Sequence, residues 1–114
     1  LLYKLMANQF KFVGIDNSTS GSALTPFGTG NPLVSENYVV KSILVTSAGT
    51  PTVTITNNNI TTIKSAALNA NVTTELLTQP LVIEGGSSFT VVSSTTDSFD
   101  IAISYLNIKK EIVS

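Results

Sequence analysis

The last third of the chain alternates large apolar residues with small or polar ones. Along 98–108 the large residues occupy every second position: Phe99, Ile101, Ile103 and Tyr105. Because successive side chains of a β-strand point to opposite faces, this pattern predicts a strand that is buried on one face. Two shorter apolar runs, 80–83 and 89–92, precede it and flank a turn at 84–88 that contains two glycines. The region therefore predicts two strands joined by a turn, followed by a third strand.

The rest of the chain carries the same strand and turn signals. Val53 and Ile55 alternate with threonines, and Asn57–Asn59 supplies a turn. The predicted strands before residue 80 are 10–15, 38–46, 52–56, 60–65 and a segment within 72–78. About eight short strands without a convincing helix predict an all-β fold, an antiparallel β-sandwich of which the jelly roll is one form. No segment is long enough to supply the crossover helices of a parallel sheet.

The strand predicted at 38–46 has apolar residues on both faces, which is typical of a central strand in a sandwich. Strict alternation assigns Val39, Ile43 and Val45 to one face of this strand. It assigns Val40 and Leu44 to the opposite face.

The chain is predicted to form a single domain over 1–114. A length of 114 residues is sufficient for one hydrophobic core and too short for two. Residues 1–9 are predicted to be an N-terminal extension, and Met6 within them reads as a natural translation start. The residues before Met6 are too few for the apolar region of a signal peptide. In the first strand, alternation puts Phe10, Phe12 and Gly14 on one side.

Residues 16–37 show no periodic signal, and about 20 such residues make a long loop for a compact domain. The loop contains the apolar residues Leu24, Phe27, Leu33 and Val34, which argue against a purely solvated tail. Two interpretations stay open. In the first, these residues cap one end of the chain's own core. In the second, the loop is an arm, and the four residues contact an adjacent subunit.

The composition excludes several classes of partner. Only 11% of the residues are charged, the net charge is −1, and all six basic residues are lysines. A nucleic-acid-binding surface normally shows a basic stripe with aromatic residues interleaved, and the sequence has none. No stretch approaches the roughly 20 apolar residues of a membrane-spanning helix. Ser, Thr and Asn replace charge at the predicted surface, and such a weakly self-repelling exterior suits close packing beside other copies.

The sequence indicates no catalytic, cofactor or metal site. It has no His to activate a Ser or Thr nucleophile, and no Cys for a thiolate ligand or a disulfide. Asp97 and Asp100 are the closest acidic pair, and a spacing of three puts them on opposite faces of a strand. Calcium requires six or more oxygen ligands, which neither this pair nor Asp16 with Asn17 supplies. We therefore expect a protein that is not an enzyme.

Aromatic residues at the surface would be needed to bind sugars by stacking. The residues that suggest such a role are Tyr3, Tyr38, Tyr105 and Phe27, and the chain has no Trp. Tyr105 lies on the same face of its strand as Ile101 and Ile103, so we expect its ring in the core and its hydroxyl at the rim.

Five segments carry a resemblance to a known group of proteins: Tyr38–Thr46, Thr52–Ile55, Glu75–Leu77, Leu81–Val91 and Phe99–Ile108. They resemble the small β-sandwich structural proteins of tailed bacteriophages, notably those that infect marine bacteria. In that group a Val-Lys-Ser-Ile strand is followed by Leu-Val-Leu-Glu-Ala-Gly-Asp and by a terminal Ser-Tyr-Leu-Glu-Ile. The chain departs from the group at Gly86 and Ser87 in the turn, and at Asn107, where the group has an acidic residue.

The resemblance implies a non-enzymatic virion structural protein, such as a capsid decoration or cement subunit, or a tail-associated piece. It implies a homo-oligomer, with a trimer favoured because decoration proteins often occupy threefold positions. It also implies the major capsid protein or other virion proteins as partners, and a location in the virion after synthesis in the host cytoplasm. The alternative is a glycan- or receptor-binding module of a phage tail, a fibre or a cell surface.

Overall fold

The computed structural model describes residues 2–5, 9–18, 24–94 and 99–113. Those residues form nine strands: β1 (Leu2–Leu5), β2 (Gln9–Ser18), β3 (Glu36–Ser47), β4 (Thr52–Asn57), β5 (Ile60–Ala67), β6 (Thr74–Glu75), β7 (Leu81–Ile83), β8 (Phe89–Ser93) and β9 (Phe99–Val113). The described part of the chain contains no helix, which confirms the all-β prediction. It accordingly holds no helix with the length and apolar content needed to cross a bilayer.

The strands form two antiparallel sheets that pack face to face, which confirms the predicted β-sandwich. In the six-stranded sheet, β9 lies between β3 on one side and β1 and β2 on the other. β3 in turn pairs with β6 and β7. The second sheet has three strands in the order β5-β4-β8. Side chains from the two inner faces fill the space between the sheets.

The strand pairs are nested in the manner of a jelly roll. β2 pairs with β9, β3 with β7, and β4 with the next strand, β5. The remaining pair is reduced to one residue, since Leu24 forms an antiparallel bridge with Val91 of β8. Backbone nitrogens and carbonyl oxygens of these two residues exchange hydrogen bonds of 2.8 and 2.9 Å. Winding one long hairpin around a barrel-like core produces this order of partners.

The core is built from alternate residues of the longest strands. Its buried members include Val40, Ile43, Val45, Val53, Ile55, Ile83, Phe89, Val91, Phe99, Ile101, Ile103 and Tyr105. Val53 and Ile55 point inward, as their alternation with threonines predicts. Tyr105 also faces inward and is 9% exposed, which agrees with its predicted place in the core. Burying this many aliphatic and aromatic side chains is the main source of stability for a domain of this size.

β3 corrects the predicted assignment of its faces. Its register against β9 shifts between Val40 and Ser42, which marks a β-bulge at Lys41. A bulge inserts one residue and so reverses the alternation beyond it. Val40 is therefore buried on the same face as Ile43, whereas Val39 faces outward together with Leu44. The prediction of strict alternation across 38–46 was wrong because it made no allowance for the extra residue of the bulge.

The described strands also extend past several predicted ends. β2 continues to Ser18 and β3 begins at Glu36, so both ends of the segment 16–37 belong to the sheet. β9 continues to Val113, where it pairs with Leu2–Leu5 of the N-terminal extension. These strand ends form because their backbones hydrogen-bond to a strand that is distant in sequence. The side-chain pattern of the ends does not reveal that pairing.

Candidate functional site

The outward face of the six-stranded sheet carries an apolar row that crosses four strands. Phe10 of β2 is paired with Leu106 of β9, Leu106 with Val39 of β3, and Val39 with Val82 of β7. Directly opposed residues in a sheet point to the same face, with Cβ atoms about 5 Å apart. Phe10 is 79% exposed and Val82 is 51% exposed. We call these four residues the outer row.

Beside the outer row, the same face forms a shallow apolar groove of ≈ 460 Å³. Phe12, Gly14, Leu44 and Ala102 contribute to its lining, and we call it the outer groove. The ring of Phe12 lies over Gly14 and occupies the space that a side chain at position 14 would need. A Cβ atom at Gly14 would come within 3.1 Å of the Phe12 Cζ atom. Phe12 nevertheless remains 68% exposed. Two solvent-exposed phenylalanines on one sheet face are typical of an interaction surface.

Two of the four loop residues predicted to contact another subunit pack against the core of their own domain. Leu24 bridges to β8, as described above, and packs against the core. The Phe27 ring lies 4.9 Å from the rings of both Tyr38 and Tyr105 and 5.4 Å from that of Phe89. This arrangement matches the interpretation in which the loop caps the core. The proposed contact of Leu24 and Phe27 with another subunit stays a prediction.

The other two loop residues project from the domain. Leu33 is 54% exposed and Val34 is 90% exposed. Their turn is held rigidly, because the Glu36 amide donates to the Leu33 carbonyl oxygen at 2.8 Å. The Gly86 amide likewise donates to the Pro32 carbonyl oxygen at 2.9 Å. Leu33 and Val34 therefore form a fixed apolar tip at one end of the sandwich, where an intersubunit contact is sterically open.

The aromatic residues considered for sugar stacking are mostly withdrawn from solvent. Tyr38 is 6% exposed and Tyr105 is 9% exposed, and their ring centroids lie 4.7 Å apart. Phe27 covers both rings. Burial, with a smaller contribution from the nearby Glu36 carboxylate, raises the pKa of Tyr38 to about 12. The same two causes raise the pKa of Tyr105. The side chain of Tyr3 lies outside the described residues.

A buried polar cluster closes the end of the sandwich nearest this aromatic group. The Asn107 side-chain amide donates to the Glu36 Oε2 atom at 2.9 Å, and Lys109 Nζ lies 3.5 Å from the same oxygen. The Leu33 amide donates to Glu36 Oε1 at 3.3 Å. An acidic residue at position 107 would put a second carboxylate beside Glu36. Asn107 avoids charge repulsion with the Glu36 carboxylate, because its side-chain amide is uncharged and donates a hydrogen bond to that carboxylate.

Glu36 is predicted to make the stability of the domain depend on pH. Burial acts to raise the pKa of its carboxyl group, but the bonds from Asn107, Leu33 and Lys109 outweigh it, and the pKa is lowered from 4.5. A lowered pKa stabilises the fold above the unfolded-state value, and this contribution is lost as the pH falls through the folded-state value. Glu36→Gln should therefore cost about 1–2 kcal/mol at pH 7 and progressively less in acid.

Urea denaturation of both proteins between pH 7 and pH 3 measures this difference. The matched control is Glu84→Gln, because the Glu84 side chain is exposed in the turn after β7. A free energy of unfolding that falls with pH equally in wild type and Glu36→Gln would contradict the assignment.

Of the acidic residues considered for catalysis or metal binding, only Asp100 has a side chain that the structure describes. Asp100 is exposed on the outward face of β9, whereas Asp97 and the side chain of Asp16 lie outside the described residues. Across the residues that the structure describes, no group of three His, Cys, Asp or Glu side chains is arranged to hold a metal ion. A polar hollow of ≈ 250 Å³ lies between Asn57 of β4 and Glu84 after β7, and its lining also includes Ile60 and Val82.

Sequence analysis did not identify the outer row as a surface. The alternation at Phe10 and Phe12 is visible in the sequence, but it does not reveal whether that side faces solvent. The β3 bulge also hides the alignment of Val39 with Leu106 and Val82. Comparison with known proteins gives no further guidance: no protein-family model matches the chain, and no curated protein matches it significantly.

Proposed function

We propose that this chain is a non-enzymatic structural protein of a virion, most simply a capsid decoration or cement subunit present in many copies. The observation that carries the proposal is the apolar outward face of the six-stranded sheet, where Phe10 and Phe12 are 79% and 68% exposed. The resemblance of 38–108 to small phage structural proteins directs it toward a virion. A particle supplies neighbouring molecules that would cover such a face.

In the mechanism we propose, each subunit makes weak contacts by burying apolar surface against its neighbours, and a symmetric lattice repeats these contacts many times. Each subunit is a preformed jelly roll, so little conformational entropy is lost when its outward face is covered. With only 11% of its residues charged, the subunit meets little electrostatic repulsion from close neighbours. Contacts that are individually weak become strong when many are made at once on one particle.

The loop contributes to this mechanism through its tip. Leu24 and Phe27 secure the loop to its own core, and Leu33 and Val34 present apolar side chains from a fixed turn. A rigid tip binds with a smaller entropic cost than a mobile arm. We therefore propose the Leu33–Val34 tip as a second contact with a neighbouring virion protein, such as the major capsid protein.

The alternative function is recognition of a glycan or a host receptor. Burial of Tyr38 and Tyr105 leaves these rings unable to stack on a sugar, so that alternative now depends on the polar hollow. In the hollow, the Asn57 amide donates to the Val82 carbonyl oxygen at 3.0 Å, and its buried Oδ1 atom accepts no hydrogen bond from any residue that the structure describes. A hydroxyl group is a suitable donor to such an oxygen.

Cosedimentation with phage capsids stripped of their decoration proteins tests the proposal. We expect saturable binding at symmetry-related positions visible by electron microscopy, and weaker binding of Phe12→Ser. The matched control is Ile60→Ser, because Ile60 is 67% exposed on β5 of the other sheet. Absence of particle binding together with selective binding on a glycan array would favour the alternative instead.

A further inference from the structure

We infer that the outer row packs face to face against the outer row of a second copy of this chain, about a twofold axis. The inference rests on the proposed function, because it names the partner of the same surface in a subunit present in many copies. The row is uncharged along its whole length, from Phe10 through Leu106 and Val39 to Val82. Two such rows can meet without burying an unpaired charge.

The exposed apolar area is sufficient for a stable pair. A contact centred on the outer row also covers Phe12 and Leu44 of the neighbouring outer groove. Phe10 and Val82 of the row are 79 and 51% exposed, and Phe12 and Leu44 of the groove are 68 and 38% exposed. Together they amount to about 450 Å² of apolar side chain per copy. Covering this area on two copies removes about 900 Å² from water. Homodimer interfaces are about 65% apolar, so the complete interface would bury about 1,400 Å². Stable protein interfaces bury about 1,200–2,000 Å² in total.

The order of side-chain sizes along the row favours one orientation of the axis. Neighbouring strands are about 4.8 Å apart, so the row crosses about 14 Å of the sheet from β2 to β7. A twofold axis parallel to the strands, between Leu106 and Val39, puts each Phe10 opposite the second copy's Val82. Large residues then meet small ones, which allows the two faces to interdigitate about 10 Å apart as the sheets of a sandwich do.

The first experiment measures self-association of the purified full chain by light scattering after size exclusion and by sedimentation equilibrium. We expect a dimer for the wild type and for the control Lys64→Ser, because Lys64 is exposed on β5 of the other sheet. Phe10→Ser combined with Val82→Ser removes the large side chains at both ends of the row. We expect the dissociation constant of the dimer to rise at least about 100-fold. Circular dichroism and a urea transition establish that the double variant is folded.

The second experiment tests the orientation by cross-linking. The chain contains no Cys, so an introduced thiol has no competing partner. Facing strands about 10 Å apart are too distant for a direct disulfide, so a short bismaleimide reagent is used, and it should link Phe10→Cys to Val82→Cys faster than it links either protein to itself. Lys64→Cys serves as the control for random collision, because Lys64 is exposed on β5. Cross-linking at no higher rate than that of Lys64→Cys would overturn the contact.

Other outcomes separate this inference from the proposed function. A strictly monomeric wild type that still binds stripped capsids would overturn the contact between copies and leave the virion role standing. In that case the capsid protein would be the occupant of the outer row. A closed trimer, as the resemblance implies, would likewise overturn the twofold contact. Dissociation by Lys64→Ser as strong as that by the double variant would assign the interface to the other sheet.

Discussion

Replacing Phe27 with alanine should lower the free energy of unfolding by about 3 kcal/mol, at the lower end of the range for buried aromatic residues. The Phe27 ring contacts three other aromatic rings, those of Tyr38, Phe89 and Tyr105, with centroid separations of 4.9–5.4 Å. Tilted and edge-to-face pairs at these distances add to the energy gained by burying the rings. Removing Phe27 eliminates all three pairs and exposes the two tyrosines at once.

Urea or thermal unfolding of Phe27→Ala measures this effect, with Val34→Ala as the matched control from the same loop. Val34 is 90% exposed, so its truncation should change the free energy of unfolding by less than about 0.5 kcal/mol. Equal and small effects from the two substitutions would show that the loop does not cap the core. They would restore the interpretation in which Phe27 belongs to an arm that contacts another subunit.

The strands could be predicted because their signal is local. Alternation at Phe99, Ile101 and Ile103 fixes both the strand and the face that it buries, and the threonines around Val53 and Ile55 do the same for β4. Each pattern lies within a few residues and needs no knowledge of the neighbouring strand. The all-β class, the antiparallel pairing and the sandwich follow from such patterns together with the short connections.

The candidate surface could not be predicted because it depends on register between distant strands. Phe10, Leu106, Val39 and Val82 come from four strands that are far apart in sequence, and only their pairing assembles the outer row. The bulge at Lys41 adds a second obstacle, because it reverses the faces within β3 without any Gly or Pro to mark it. Leu24 presents the same difficulty, since its single-residue bridge to β8 has no periodic signal.

The four apolar residues of the loop between β2 and β3 are alike in composition and differ in their packing. Leu24, Phe27, Leu33 and Val34 look alike in the sequence as apolar residues among Gly, Pro and Ser. In the structure, the first two lie against the core and the last two are exposed. The distinction comes from the aromatic partners of Phe27 and from the turn after β7, which holds Leu33 and Val34 away from the core.

Replacing Gly85 with alanine should destabilise the domain by about 3 kcal/mol or more, because its surroundings leave no room for a methyl group. A Cβ atom there would lie 2.5 Å from the Val34 carbonyl oxygen and 2.7 Å from those of Leu33 and Glu36. All three are backbone atoms, so relief requires the turn to shift. That movement would break the 2.9 Å hydrogen bond from the Gly85 amide to Asn37 Oδ1.

The matched control for Gly85→Ala is Gly30→Ala, because a Cβ atom at Gly30 meets no atom within 4 Å. Gly30 has a φ of +82°, so its substitution carries only the backbone cost of about 1–2 kcal/mol. Urea denaturation compares the two, and capsid binding tests whether the displaced tip weakens assembly. Wild-type stability of Gly85→Ala would contradict the close packing of 33–36 against this turn.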